Sequence, residues 1–281
     1  MLVKKITEVR NEVKKAKLAG KSVGFVPTMG FLHEGHLSLI EKAAAENDFV
    51  VVSIFVNPTQ FGPNEDFEAY PRDLERDYEL SMQSGANLIF NPEVEEMYPQ
   101  KGKTFVNVIE LTDNLCGASR PGHFQGVTTV VSKLFNIVLA DNAYFGQKDA
   151  QQVAVIKQMT ADLNFSTKVI SCPIVREEDG LAMSSRNVYL SPAERISALR
   201  LSSSLFAAEK LIAAGERDGK KIRDFICKNI EEDTACRIDY VKTVNFKSLE
   251  DTDLLKDEVL IALAVKVGKT RLIDNIVVEV K

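Results

Sequence analysis

His33 and His36, three residues apart, close the run Pro27-Thr28-Met29-Gly30-Phe31-Leu32-His33-Glu34-Gly35-His36. A short apolar stretch at 22–26 precedes this run, and a helix-compatible stretch at 36–47 follows it. That order of strand, turn and helix start places both histidines at the carboxyl edge of a sheet, where open α/β folds bind ligands. A helix N-terminus there offers free N–H groups and positive potential to phosphates. Imidazoles at that point can donate hydrogen bonds to phosphate oxygens and stabilise the charge that builds up during transfer at phosphorus. The same two residues could merely cap and solvate the turn. A zinc pair is disfavoured, because the spacing is not HExxH and no cysteine pair lies nearby.

Other segments carry chemistry of a compatible kind. Asn57 and Gln60 lie in Phe55-Val56-Asn57-Pro58-Thr59-Gln60-Phe61-Gly62, after an apolar run at 49–56. An amide both donates and accepts, which suits a substrate with hydroxyls and a carboxylate. Arg120, in Arg120-Pro121-Gly122-His123-Phe124, precedes a helix and suits an anion. In Gly146-Gln147-Lys148-Asp149, glycine permits close approach and Lys148 can neutralise phosphate charge. Asp149 could orient Lys148 or ribose hydroxyls. Met183-Ser184-Ser185-Arg186-Asn187 offers two hydroxyls and a guanidinium. Each of these segments, standing alone, also reads as an ordinary turn, linker or helix start.

The elements that must position these groups follow from periodicity. Ile6, Val9, Val13 and Ala16 repeat at helical spacing and stop at Gly20, a glycine C-cap. The run at 49–56 reads as a strand buried on both faces of a parallel sheet. Alternation continues with a helix at 71–84, a strand at 87–90, a helix at 127–140, a strand at 142–145, a helix at 150–163 and a strand at 167–172. Repeated βα units imply an α/β fold with a doubly wound parallel sheet and right-handed crossovers. After Ser191-Pro192 come two helical stretches to about 230, then strand-like runs at 237–245, 258–267 and 271–280. These predict a smaller C-terminal α+β domain with an antiparallel sheet. The expected division is 1–176 and 177–281.

Bulk properties narrow the class. The chain has 281 residues, a formal net charge of −5, 45% hydrophobic and 27% charged residues. That is an ordinary globular composition. The negative balance argues against a nucleic-acid partner, since phosphate backbones favour a broad basic footprint. The apolar runs at 50–56 and 259–265 fall far short of the roughly twenty residues a membrane span needs. With no secretory pattern in 1–15, the cytoplasm is the expected compartment. Cys116, Cys172, Cys227 and Cys236 show no metal spacing and are expected as free thiols.

The two-histidine motif after a strand resembles the signature of class I aminoacyl-tRNA synthetases and related nucleotidyltransferases. The full decamer closely resembles that of the pantothenate synthetase (pantoate:beta-alanine ligase) family, and the other segments quoted above extend the likeness, as does Tyr70-Pro71-Arg72. The motifs lie between 27 and 190. The resemblance implies a Rossmann-like fold and an enzyme that condenses pantoate with beta-alanine through a pantoyl adenylate, with ATP as substrate, Mg²⁺ and a homodimer. It implies ATP contacts at Met29, Gly30, His33, Gly35, His36, Gly146, Gln147, Lys148, Asp149, Val175, Met183, Ser184, Ser185 and Arg186. Of these, His36, His33, Lys148 and Arg186 are the expected catalytic groups. Gln60, Asn57, Gln152 and Arg120 are the expected acid- and amine-substrate contacts, and no protein-held metal is implied. Other small-molecule nucleotidyltransferases, or a non-catalytic nucleotide-binding module, are the alternative readings.

Overall fold

Continuous apolar runs satisfy both of their faces only inside a parallel sheet covered on two sides, and the chain builds such a sheet. The computed structural model describes residues 1–63 and 65–280. The strands β1 (Leu2–Val3), β2 (Val23–Thr28), β3 (Phe49–Ile54), β4 (Leu88–Phe90), β5 (Asn142–Gly146) and β6 (Lys168–Cys172) form one six-stranded sheet. Its order is β1-β4-β3-β2-β5-β6, with every pairing parallel. The connecting helices are α1 (Ile6–Leu18), α2 (Glu34–Glu46), α3 (Leu74–Gln83), α4 (Val94–Met97), α5 (Leu115–Ser119), α6 (His123–Val138) and α7 (Ala150–Asp162). Val26, Val50, Val52, Ile54 and Ile89 from the strands pack against Leu37, Ile40 and Ala43 of α2 in one buried cluster.

The strand order reverses at β2, which has β3 on one side and β5 on the other. Its ladder to β3 runs the whole length from Val23↔Phe49 to Thr28↔Ile54. Its ladder to β5 consists of Gly24↔Asn142 and Phe25↔Ala143 only. Residues 26–28 and 144–146 are therefore not paired with one another, and the β2–β5 ladder ends before the carboxyl ends of the two strands. Pro27, which has no N–H to give, sits where no β5 partner is needed. This is the switch point at which doubly wound sheets bind ligands.

After Pro173 the chain forms α8 (Pro192–Ala213), α9 (Gly219–Glu231) and an antiparallel sheet of β7 (Cys236–Asn245), β8 (Asp257–Val267) and β9 (Thr270–Val280) in that order. Ala198, Leu201, Leu205, Ala208 and Ile212 recur every three or four residues along α8, and Ile222, Ile226 and Ile230 along α9. Both stripes bury against Val259, Ile261, Leu263 and Val265 of β8. Ser191 caps α8 by accepting from Glu194 N at 3.3 Å.

Two compact units result. One comprises Met1–Ile109, Arg120–Gln147 and Gln152–Pro173, the other Glu110–Ser119, Lys148–Gln151 and Ile174–Lys281. The fold class expected from the sequence is the one observed. Some boundaries differ. The sixth helix begins at His123, four residues earlier than its apolar period suggests, because Gly122 adopts φ 82° and turns the chain into the helix at once. β1 was not expected; its two residues are too few for a period, and they add to the sheet by pairing with Ile89 and Phe90. The four cysteines are free thiols. Among the described residues no helix is long and apolar enough to cross a membrane.

Candidate active site

The run from β2 into α2 carries the two histidines, and its geometry rests on a residue from α3. Gly30 has φ 83°, and a side chain there would meet Asp77 Oδ2 and Ile54 Cγ2, each at 2.9 Å. Asp77 is buried, and its carboxylate accepts Phe31 N at Oδ2 and Leu32 N at Oδ1, both at 2.7 Å. Burial raises its pKa above the usual carboxylate range, against the lowering effect of those two N–H groups. Arg76, the preceding residue, donates to Leu32 O at 2.9 Å. The turn is thus held from outside, and Phe31 can keep a positive φ of 49°.

His33 then caps α2. Its Nδ1 accepts Gly35 N at 3.1 Å, while its own N–H points to His36 Nδ1 at 3.4 Å. The two rings lie 4.1 Å apart between centroids, tilted by 33°. A neutral imidazole whose Nδ1 accepts carries its proton on Nε2. Both rings therefore keep a donor on Nε2, and both are half-buried at the N-terminus of a thirteen-residue helix. Such a pair can bind and stabilise an anion.

Gln60 lies beside Met29 of the same turn. Pro58–Gln60 form a single 3-10 turn capped by Asn57, whose Oδ1 accepts from Thr59 N at 3.4 Å. Asn57 is buried; its Oδ1 also accepts from Thr59 Oγ1 and Tyr98 OH, and its Nδ2 donates to Gln60 Oε1 and Gly126 O. Its amide is thus directed at protein partners and fixes that of Gln60. With Oε1 engaged, Gln60 presents Nε2, which meets Met29 Sδ at 3.0 Å. A thioether is a weak acceptor, so this donor is held ready for a stronger one. The turn also packs against α6 at Gly126, where an added Cβ would collide with Thr59 O.

Arg120 reaches the same turn. Its Nε and Nη2 donate to the two carboxylate oxygens of Glu65 at 2.6 Å each, and its Nη1 lies 2.9 Å from His123 Nε2. Gly146 ends β5 with open space where a side chain would be, and Gln147 Oε1 accepts from Ser171 Oγ at 2.6 Å. Gln152 is half-buried in the first turn of α7.

The remaining expected residues belong to the second unit. Lys148 is half-buried and its carbonyl accepts from Asn275 Nδ2 at 2.9 Å. Among the described residues no carboxylate pairs with the Lys148 ammonium, and Asp149, which is exposed, does not orient it through an ion pair. Met183 N donates to Val175 O at 3.1 Å, which joins the two ends of the 175–183 turn. Ser184 caps a short 3-10 helix, Ser185–Tyr189, by accepting Arg186 N at 3.3 Å, and Ser185 is buried. Glu177 steadies this segment by accepting Asn187 Nδ2 at 2.8 Å and Arg195 Nη2 at 2.6 Å.

Three supporting residues, Asp77, Glu65 and Glu177, were absent from the sequence-derived set. The first two act on partners more than forty positions away, so no local pattern marks them.

A Rossmann-like sheet with an HxGH pair on its switch-point helix defines a nucleotidyltransferase-type site. Comparison with known proteins is more specific. The family model for pantoate-beta-alanine ligase matches residues 1–277, and the chain belongs to that family. The pantothenate synthetase of Acetivibrio thermocellus is 60% identical over 279 residues, 99% of either chain. The crystal structure of pantothenate synthetase from Thermus thermophilus superposes with a TM-score of 0.93 at 45% identity, covering 98% of both chains. That of pantoate-beta-alanine ligase from Francisella tularensis, complexed with beta-gamma ATP and beta-alanine, gives 0.79 at 35%, covering 98% of this chain and 97% of its own.

Proposed function

We infer that this chain joins (R)-pantoate to beta-alanine at the expense of ATP, through a pantoyl adenylate, giving pantothenate, AMP and pyrophosphate. Family membership across residues 1–277 supports the reaction, and one geometric observation carries the mechanism. Backbone N–H groups occupy Nδ1 of both His33 and His36, so each neutral ring carries its proton on Nε2 at the head of α2.

A carboxylate resists attack by an amine because it is anionic and would have to expel an oxide. Adenylation supplies the leaving group. A pantoate carboxylate oxygen attacks the α-phosphorus of ATP and pyrophosphate departs; the amine then attacks the adenylate carbonyl and AMP departs. No covalent enzyme intermediate is needed, so the protein's work is positioning and charge stabilisation.

In this reading His36 and His33 donate to the phosphate oxygens on which charge builds. Lys148 and Arg186 hold the triphosphate, with Ser184 and Ser185 beside them. Met29, Gly30, Gly35, Gly146, Gln147, Asp149, Val175 and Met183 shape the nucleotide site. Gln60 donates to the acid, Gln152 lies on the same substrate, and Asn57 and Arg120 serve the pocket through Gln60. Mg²⁺ arrives as part of Mg-ATP and shields the triphosphate. Residues 1–176 would bind ATP and pantoate, and 177–281 would carry the Met183–Arg186 segment. A homodimer in the cytoplasm completes the proposal.

The test is release of pyrophosphate and AMP from Mg-ATP and D-pantoate, with and without beta-alanine, while mass spectrometry follows pantothenate. Pantothenate formed with stoichiometric AMP is the expected result. No pyrophosphate release with pantoate would contradict it, and pyrophosphate without AMP in the presence of amine would indicate a simple nucleotidyltransferase.

A further inference from the structure

Gln60 is held from two sides. Asn57 fixes its side chain at Oε1, and a second set of contacts fixes its main chain. His123 Nδ1 lies 2.8 Å from Gln60 O, to which it donates, and Arg120 Nη2 donates to the same oxygen at 3.4 Å. With its Nδ1 proton so placed, His123 accepts at Nε2 from Arg120 Nη1. Arg120 is in turn fixed in a two-point pair by Glu65, which also accepts Gly62 N at 3.2 Å. The pair is poorly solvated, with side chains 18% and 26% exposed.

A guanidinium paired in this way has its charge balanced and its fork filled, so it is a poor direct ligand for a substrate carboxylate. We propose that Glu65 is a positioning residue for the acid substrate: through Arg120 and His123 it clamps the main chain of Gln60 and so aims the Gln60 amide. The competing arrangement has Glu65 as a placeholder that yields Arg120 to the substrate. The two make opposite predictions. A clamp that is lost loosens Gln60 and weakens acid binding; a placeholder that is lost frees a cation and strengthens it.

The proposal rests on the reading of the acid as a substrate, so the experiment has two arms. In steady-state assays with Mg-ATP, pantoate and beta-alanine, the wild-type protein tests that reading. The ratio of Glu65→Gln to wild type tests the clamp. Glutamine keeps the shape and removes the charge. We expect KM for pantoate to rise roughly tenfold, the scale of one lost charge-assisted hydrogen bond, with KM for ATP within about twofold of wild type. Arg120→Gln should give the same pattern, and the double variant no more than either single one, since the two residues act as a unit. Independently of any substrate, amide hydrogen exchange at 60–62 should quicken in Glu65→Gln. A pantoate KM that is unchanged or lowered, or unchanged exchange at 60–62, would overturn the clamp.

Discussion

Asp77 Oδ1 accepts the backbone N–H of Leu32 at 2.7 Å, and through this bond the third helix of the sheet domain holds the turn that delivers both histidines. Its other oxygen accepts Phe31 N at the same distance. Replacing Asp77 with alanine would leave two N–H groups without acceptors, each costing about 1–3 kcal/mol when buried. We expect Asp77→Ala to lower the thermal midpoint and to slow adenylate formation together, with Asp77→Asn between it and wild type. A variant with wild-type turnover would show that the turn holds itself.

The Glu65–Arg120 pair gives the protein a defined acid sensitivity. Burial alone would raise the Glu65 carboxyl, but the hydrogen bond and charge of Arg120 outweigh it and bring the pKa down to about 2. A carboxylate depressed in the folded state adds stability that is complete above its ordinary value of 4.5 and is lost as pH falls towards 2. Urea midpoints measured across that window should decline less steeply for Glu65→Gln than for wild type. Parallel slopes would place the acid sensitivity elsewhere.

Gly126 allows α6 to lie directly on the turn that ends in Gln60. In Gly126→Ala the new methyl would press on the Thr59 carbonyl and the Gln60 backbone. Overpacking of this kind costs about 1–3 kcal/mol. Thermal denaturation should show that loss, and KM for pantoate should rise while KM for ATP holds. A silent substitution would mean that the helix can shift without disturbing Gln60.

Lys148 follows the last residue of β5 by two positions in the chain and is half-buried. Lys148→Met keeps the aliphatic stem and removes the charge, so kcat/KM for ATP should fall by about 10²–10³-fold, the scale of a lost group that stabilises developing charge. Unchanged pyrophosphate release would remove Lys148 from the mechanism.

Much of this was legible in the sequence because it is local. The apolar run at 49–56 and the order of strand, PTMGFLHEGH and helix identify a parallel strand and a switch-point helix from neighbours in the chain. The histidine pair was visible for the same reason. Asp77 was not, since it reads as one acidic residue among several on an amphipathic helix until folding brings it to Phe31 and Leu32. Arg120 read as a candidate anion ligand because its partner Glu65, fifty-five positions earlier, carries no mark of the pairing. The αL turn at Gly122 lies inside a loop-like Pro-Gly dipeptide, so the apolar period marks this helix only from residue 127 onward.

The account turns on the Nε2–H groups of the histidine pair. The most direct test is the single-turnover rate of pyrophosphate release from Mg-ATP and pantoate in His36→Ala. Alanine is the informative replacement, because glutamine would keep a donor. Loss of a donor to developing phosphate charge predicts a rate lower by about 10²–10³-fold, with the fold intact by circular dichroism. A wild-type rate in His36→Ala would contradict the role assigned to the pair.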